Sequence, residues 1–122
     1  MLHSERQSLP LKQMYPVKEA CRRLDLSYLH AATREEDNEQ TLRRLLMVLR
    51  ANHYMKIEDV LEASWADLGR LRQMGDTSLE LLAALFERIV KHPDLLIDEA
   101  SAEREQKLQA IKKRLREMGL VQ

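Results

Sequence analysis

The chain has 122 residues with 20 basic and 20 acidic side chains, so its formal net charge is zero and no global field draws it toward nucleic acid or a membrane surface. The single cysteine, Cys21, excludes an internal disulfide and a paired-thiol metal site, and fits a reducing, cytoplasmic setting. Three glycines, three prolines and almost no alternation of branched or aromatic residues point away from strands, to a compact all-α bundle of about six helices in one domain.

Residues 1–16 hold two prolines and no apolar period. An irregular arm is expected there, ordered only where something covers Leu9, Leu11, Met14 and Tyr15. Pro16 is pre-set for a first helical turn. The run VKEACRRLDLSYLHAA after it predicts a helix over roughly 17–31. Val17, Ala20, Cys21, Leu24 and, toward its end, Tyr28 would share its buried face, with Arg22 and Arg23 in water. Thr33-Arg34-Glu35-Glu36 matches a capping box, and Glu35, Glu36, Asp37 and Glu39 complement the positive end of a helix dipole. A long helix is therefore expected from there, with Leu42, Leu45, Leu46 and Leu49 as its apolar stripe and Asn52 as its stop. These N-terminal helices fill residues 17–53.

Residues 54–91 read as the centre of the fold. Ile57, Val60 and Leu61 make a short apolar face that stops at Ser64. Ser64, with Asp67 three residues on, caps a second short helix carrying Trp65, Leu68 and Leu71. Gly75 is expected to supply the left-handed turn that ends this run. Thr77-Ser78-Leu79-Glu80 matches another box, with Asp76 as a competing cap. Leu79, Leu82, Leu85, Phe86 and Ile89 then continue at helical spacing to the His92-Pro93 break. Beyond it KHPDLLIDEA reads as a linker with Leu95, Leu96 and Ile97 buried. Asp98 is the expected cap of a last amphipathic helix over 98–119, ended by Gly119. There Leu108, Ile111, Leu115 and Met118 form a stripe beside Arg104, Lys107, Lys112, Lys113, Arg114 and Arg116.

Catalytic patterns are lacking. His3, His30, His53 and His92 are scattered, and none stands at ligand spacing from another metal-type side chain, so no metal is expected. Glycine is too scarce for a phosphate-cradling loop, and no cofactor is expected. Cys21 and Trp65 read as core residues. The acidic run 35–39 reads as a helix start and not as a general-acid pair. Apolar runs are too short to span a bilayer, so no membrane partner is expected. The basic face of the last helix is either solvated, with Glu103 and Glu105 pairing to Lys107 and its neighbours, or open to phosphate or an acidic partner. The sequence thus favours a non-enzymatic binding module.

The segment LRRLLMVLRANHYMKIEDVLEASWADLGRLRQMGDTSLELLAALF resembles the C-terminal domain of the bacterial RNA polymerase α subunit, a relative of helix-hairpin-helix modules. Ile57-Glu58-Asp59-Val60, Ser64-Trp65-Ala66-Asp67-Leu68 and Met74-Gly75-Asp76-Thr77-Ser78-Leu79 follow that family's order without gaps. The resemblance implies a helical hairpin that binds duplex DNA or a transcription-related protein. Arg44 would stand for the family's minor-groove arginine, and Gly75, Thr77 and Ser78 for its phosphate-facing helix start. Arg70 and Arg72 are further candidate phosphate contacts. Met47 stands where the family has an asparagine, and Asp76 and Thr77 where it is basic. A protein–protein adaptor that keeps this fold without nucleic acid is the alternative. A homodimer through Leu108, Ile111, Leu115 and Met118 is a further expectation.

Overall fold

The computed structural model describes residues 8–119. Six α-helices lie within them: α1 Glu19–Arg22, α2 Glu39–Ala51, α3 Ile57–Glu62, α4 Trp65–Gly69, α5 Asp76–Lys91 and α6 Asp94–Glu117. Two 3-10 segments, Leu11–Gln13 and Leu26–Ala32, complete the chain path. No strand occurs among the described residues, only the isolated bridge pairs Pro10 with Ser64 and Asp25 with Lys56.

Helix α5 is the axis of the bundle. Leu81, Leu82, Leu85, Phe86 and Ile89 recur at helical spacing and are all buried, so one face of the rod carries much of the core. Leu45, Val48 and Leu49 of α2 pack against it from one side, and Leu26, Leu29 and Ala32 of the second 3-10 segment join them. Leu11, Cys21, Ile57, Val60, Leu61 and Leu68 close the same core. The Tyr15 ring bridges Phe86 and Trp65, tilted at 5.5 Å from the first and edge-on at 6.2 Å from the second. Of the arm residues expected to need cover, Leu11 is buried in this core and Met14 and Tyr15 pack partly against it, whereas Leu9 is exposed. Residues 1–7 of the arm lie outside the described residues.

Several boundaries differ from the sequence reading. The helix expected over 17–31 is a single turn, Glu19–Arg22, followed by a 3-10 segment whose cap is Asp25. The Asp25 carboxylate accepts from the Ser27 N–H at 2.9 Å, which favours the turn over continuation of the α-helix. Arg22 is half-buried, and its Nε lacks a hydrogen-bond partner among the described residues, so it does not simply face water. Thr33 does not cap the next helix: its hydroxyl donates back to the His30 carbonyl at 2.6 Å. The cap is Asn38, whose Oδ1 accepts from the N–H groups of Gln40 and Thr41 at 2.8 and 3.2 Å. The expected linker after Pro93 is already helix, so Asp98 lies within α6 and not at its start. Leu96 is fully buried there, Ile97 partly, and Leu95 faces solvent.

Two turns connect α3, α4 and α5. Ser64 caps α4 as expected, its Oγ accepting from the Asp67 N–H at 3.1 Å while Asp67 accepts from the Ser64 N–H at 3.2 Å. Helix α4 then ends at Gly69, before the Leu71–Met74 portion of the expected run. The left-handed residue is Gln73, with φ 72°, and not Gly75. Gly75 is extended (φ −90°, ψ 169°) and is the N-cap of α5, so Thr77 and Ser78 fall inside the first helical turn.

Candidate functional site

The packing of α2 on α5 places the beginnings of both helices side by side. Between them lies an open cleft of about 280 Å³ lined by Asn38, Gln40, Thr41, Arg44, Gln73, Gly75, Thr77 and Ser78. Four residues that the sequence singles out, Arg44, Gly75, Thr77 and Ser78, meet in this cleft. Arg70 and Arg72 do not line it: Arg70 borders a different groove and sits 3.8 Å from Asp67, and Arg72 is simply exposed.

The lining is uniform in chemical sense. Among the described residues it holds one cation and no carboxylate, and its remaining side chains are amides and hydroxyls. Helix α5 begins without a side-chain cap among the described residues, which leaves its first-turn N–H groups, at the positive end of the dipole, without an intrahelical or cap acceptor. Ser78, only 3 % exposed, makes no side-chain hydrogen bond among the described residues and lines the cleft wall. Arg44, one turn into α2, is exposed and has no acidic partner among the described residues. Asn38 has its carbonyl oxygen engaged by the cap, which leaves its NH₂ group as a donor. A small oxyanion such as a phosphate oxygen is what such donors recognise.

Asp76 lines a different groove, with Tyr15, Trp65, Arg70, Leu79 and Glu80. Asp76 thus borders a different groove from the one that Thr77 and Ser78 line. This second groove has a volume of about 710 Å³ and is lined by two aromatic and three charged side chains, Tyr15, Trp65, Arg70, Asp76 and Glu80, beside smaller residues. Met47 is 58 % exposed on α2 and lines no part of the cleft.

Asn38, Gln40, Thr41 and Gln73 are cleft residues that the sequence pattern does not single out. Asn38 carries a usable signal, an amide cap four residues ahead of Leu42, but Thr33 offers a better-looking box. Gln40, Thr41 and Gln73 carry none, because only the packing of α2 against α5 brings them in. Outside the cleft, burial pushes the Cys21 thiol up, away from the reactive thiolate; its S–H donates to the Pro93 carbonyl at 3.6 Å. Among the described residues no cluster of histidine, cysteine and acidic side chains is placed to hold a metal, and no helix is long and apolar enough to cross a membrane. Compared with protein-family models, curated protein sequences and solved structures, the chain matches none of them.

Proposed function

We propose that this chain is a non-enzymatic, cytoplasmic binding module that grips a phosphate of duplex DNA in the cleft between α2 and α5. The observation that carries the reading is the meeting of Arg44, the uncapped start of α5 and the unpartnered Ser78 in one carboxylate-free cleft. Arg44 supplies charge, and the N–H groups of the first turn with Ser78 and Thr77 supply directed hydrogen bonds. This is the division of labour that the resemblance to the polymerase α C-terminal domain implies. A transcription-related setting follows from that resemblance alone.

The test is a duplex-DNA titration at two salt concentrations. A phosphate-gripping module weakens steeply as salt rises. Arg44→Ala should lower both the affinity and the log–log salt slope, the latter by about 0.9 for each phosphate that is no longer neutralised. The aromatic groove at Trp65 favours a second reading, a protein adaptor without nucleic acid. Absence of binding at both salts would leave that reading standing and remove the first.

A further inference from the structure

Helix α6 runs 24 residues, but only its first part touches the bundle. Leu96 is buried, Tyr28 donates to Glu103 at 2.5 Å, and His30 lies 3.7 Å from Glu99. From Arg104 onward every described residue is exposed except Leu115, which is half-buried. About 20 Å of rod therefore projects into solvent at 1.5 Å per residue. On it Leu108, Ile111 and Met118 are 51, 54 and 62 % exposed, although they align with Leu115 in a three-four-three spacing. That spacing is the narrow seam by which one helix packs on another, with Leu108 and Leu115 at one core position and Ile111 and Met118 at the other.

We propose that this projecting half of α6 is a docking rod for an acidic amphipathic helix of a different protein, which covers the Leu108–Met118 seam and pairs with its basic flanks. The flanks decide the occupant. Lys107 and Arg114 border the seam on one side and Lys112 on the other; Glu105, one heptad before Lys112 on that second side, lies ahead of Leu108, before the seam begins. A second copy of this chain would set these cations against one another whether the helices ran parallel or antiparallel, because flank positions face flank positions in both. A partner with an apolar seam and Glu or Asp flanks removes that repulsion and covers the leucines at once. Nucleic acid would answer the cations and leave the seam wet. An anionic membrane favours a broad apolar face with aromatic anchors, and no aromatic residue lies on α6.

The full chain is titrated with labelled helical peptides of about three heptads. One has a leucine seam with glutamate flanks, a second the same seam with lysine flanks, and a third glutamate flanks with a serine seam. The expected result is binding of the first at least about tenfold tighter than of the other two. Leu108→Asp and Ile111→Asp should lose that preference with an unchanged thermal melt. The triple change Lys107→Glu, Lys112→Glu, Arg114→Glu should transfer preference to the lysine-flanked peptide. Three results overturn the proposal: no preference among the peptides, a dimer in sedimentation that Leu108→Asp dissolves, or tighter binding to phosphatidylserine vesicles or duplex DNA through this helix. None of these variants touches the α2–α5 cleft, so failure here and failure of the phosphate reading are separable.

Discussion

Arg88 on α5 reaches 51 positions back along the chain to Asp37, its Nη1 2.5 Å from Oδ2 and its Nη2 3.3 Å from Oδ1. Both side chains are largely buried, at 14 and 13 % exposure. The same guanidinium donates to the Ala32 carbonyl at 3.1 Å, and Asp37 also accepts from the Arg34 N–H at 2.7 Å. This fork pins the turn between the second 3-10 segment and α2 onto the central helix. By fixing where α2 begins, it places Asn38 and Thr41 at the edge of the cleft.

Removing one partner should therefore cost more than a surface ion pair would. Arg88→Met strands the Asp37 carboxylate in a poorly hydrated place and is expected to lower the unfolding free energy by about 3 kcal/mol. The double variant Arg88→Met, Asp37→Leu should recover part of this, because no unpaired charge remains buried. Urea melts of the two singles and the double measure the coupling. Additive losses would show that the pair does not act as a unit.

The same carboxylate links stability to acid. The Arg88 guanidinium holds Asp37 below the ordinary carboxylate value, and Arg50, 2.6 Å from Asp25, holds that group down to about 2. A carboxylate with a depressed folded-state pKa contributes stability that is present above its unfolded value, near 3.8, and is lost as pH falls toward the folded one. The urea midpoint should thus be flat from neutrality to about pH 5 and fall below about pH 4. Asp37→Asn should start lower and flatten that fall. Asp25 and Arg50 are 44 and 39 % exposed, so most of their attraction is screened and Asp25→Asn should change the profile less.

At Gly75, binding and stability should move in opposite directions. Its backbone is extended, and a Cβ built there meets nothing within 4 Å, so side chains fit without strain. Gly75→Asp gives α5 the cap it lacks and is expected to raise stability by a few tenths of a kcal/mol. It also takes up the N–H groups that would hold a phosphate and sets a carboxylate beside Arg44. DNA affinity should drop by at least about tenfold while the melting temperature holds or rises. Unchanged DNA affinity would mean that the start of α5 is not the phosphate contact.

What the sequence discloses is what short-range periodicity controls. The stripes of α2 and α5 and the box at Ser64 are local, and the structure has them where the pattern puts them. Helix starts are less legible because competing caps lie close together. Thr33 and Asn38 both suit the role, and the choice accompanies a pairing with Arg88 far along the chain. Conformational freedom points to glycine for the left-handed turn before α5, yet Gln73 takes it. Half of the cleft is readable as Arg44, Gly75, Thr77 and Ser78. The other half depends on how two helices pack, which leaves no mark on the residues themselves.

A second left-handed residue offers a direct measure of backbone strain. Helix α2 ends in the two-bond arrangement that usually requires glycine: the Tyr54 N–H donates to the Leu49 carbonyl and the His53 N–H to the Arg50 carbonyl, both at 3.0 Å. His53 holds the left-handed position with φ 70°. A side chain there costs about 1–2 kcal/mol, while glycine would add about 0.5–1 kcal/mol of unfolded-state entropy to be lost on folding. The first effect wins narrowly. His53→Gly is expected to stabilise the chain by about 0.5–1 kcal/mol in urea melts, with His53→Asn between it and the parent and His53→Val below both. His53 is exposed and lines neither groove beside α5, so DNA affinity should stay where it was. If His53→Gly melted below the parent, the strain assigned to this turn would be too small to outweigh glycine's entropy.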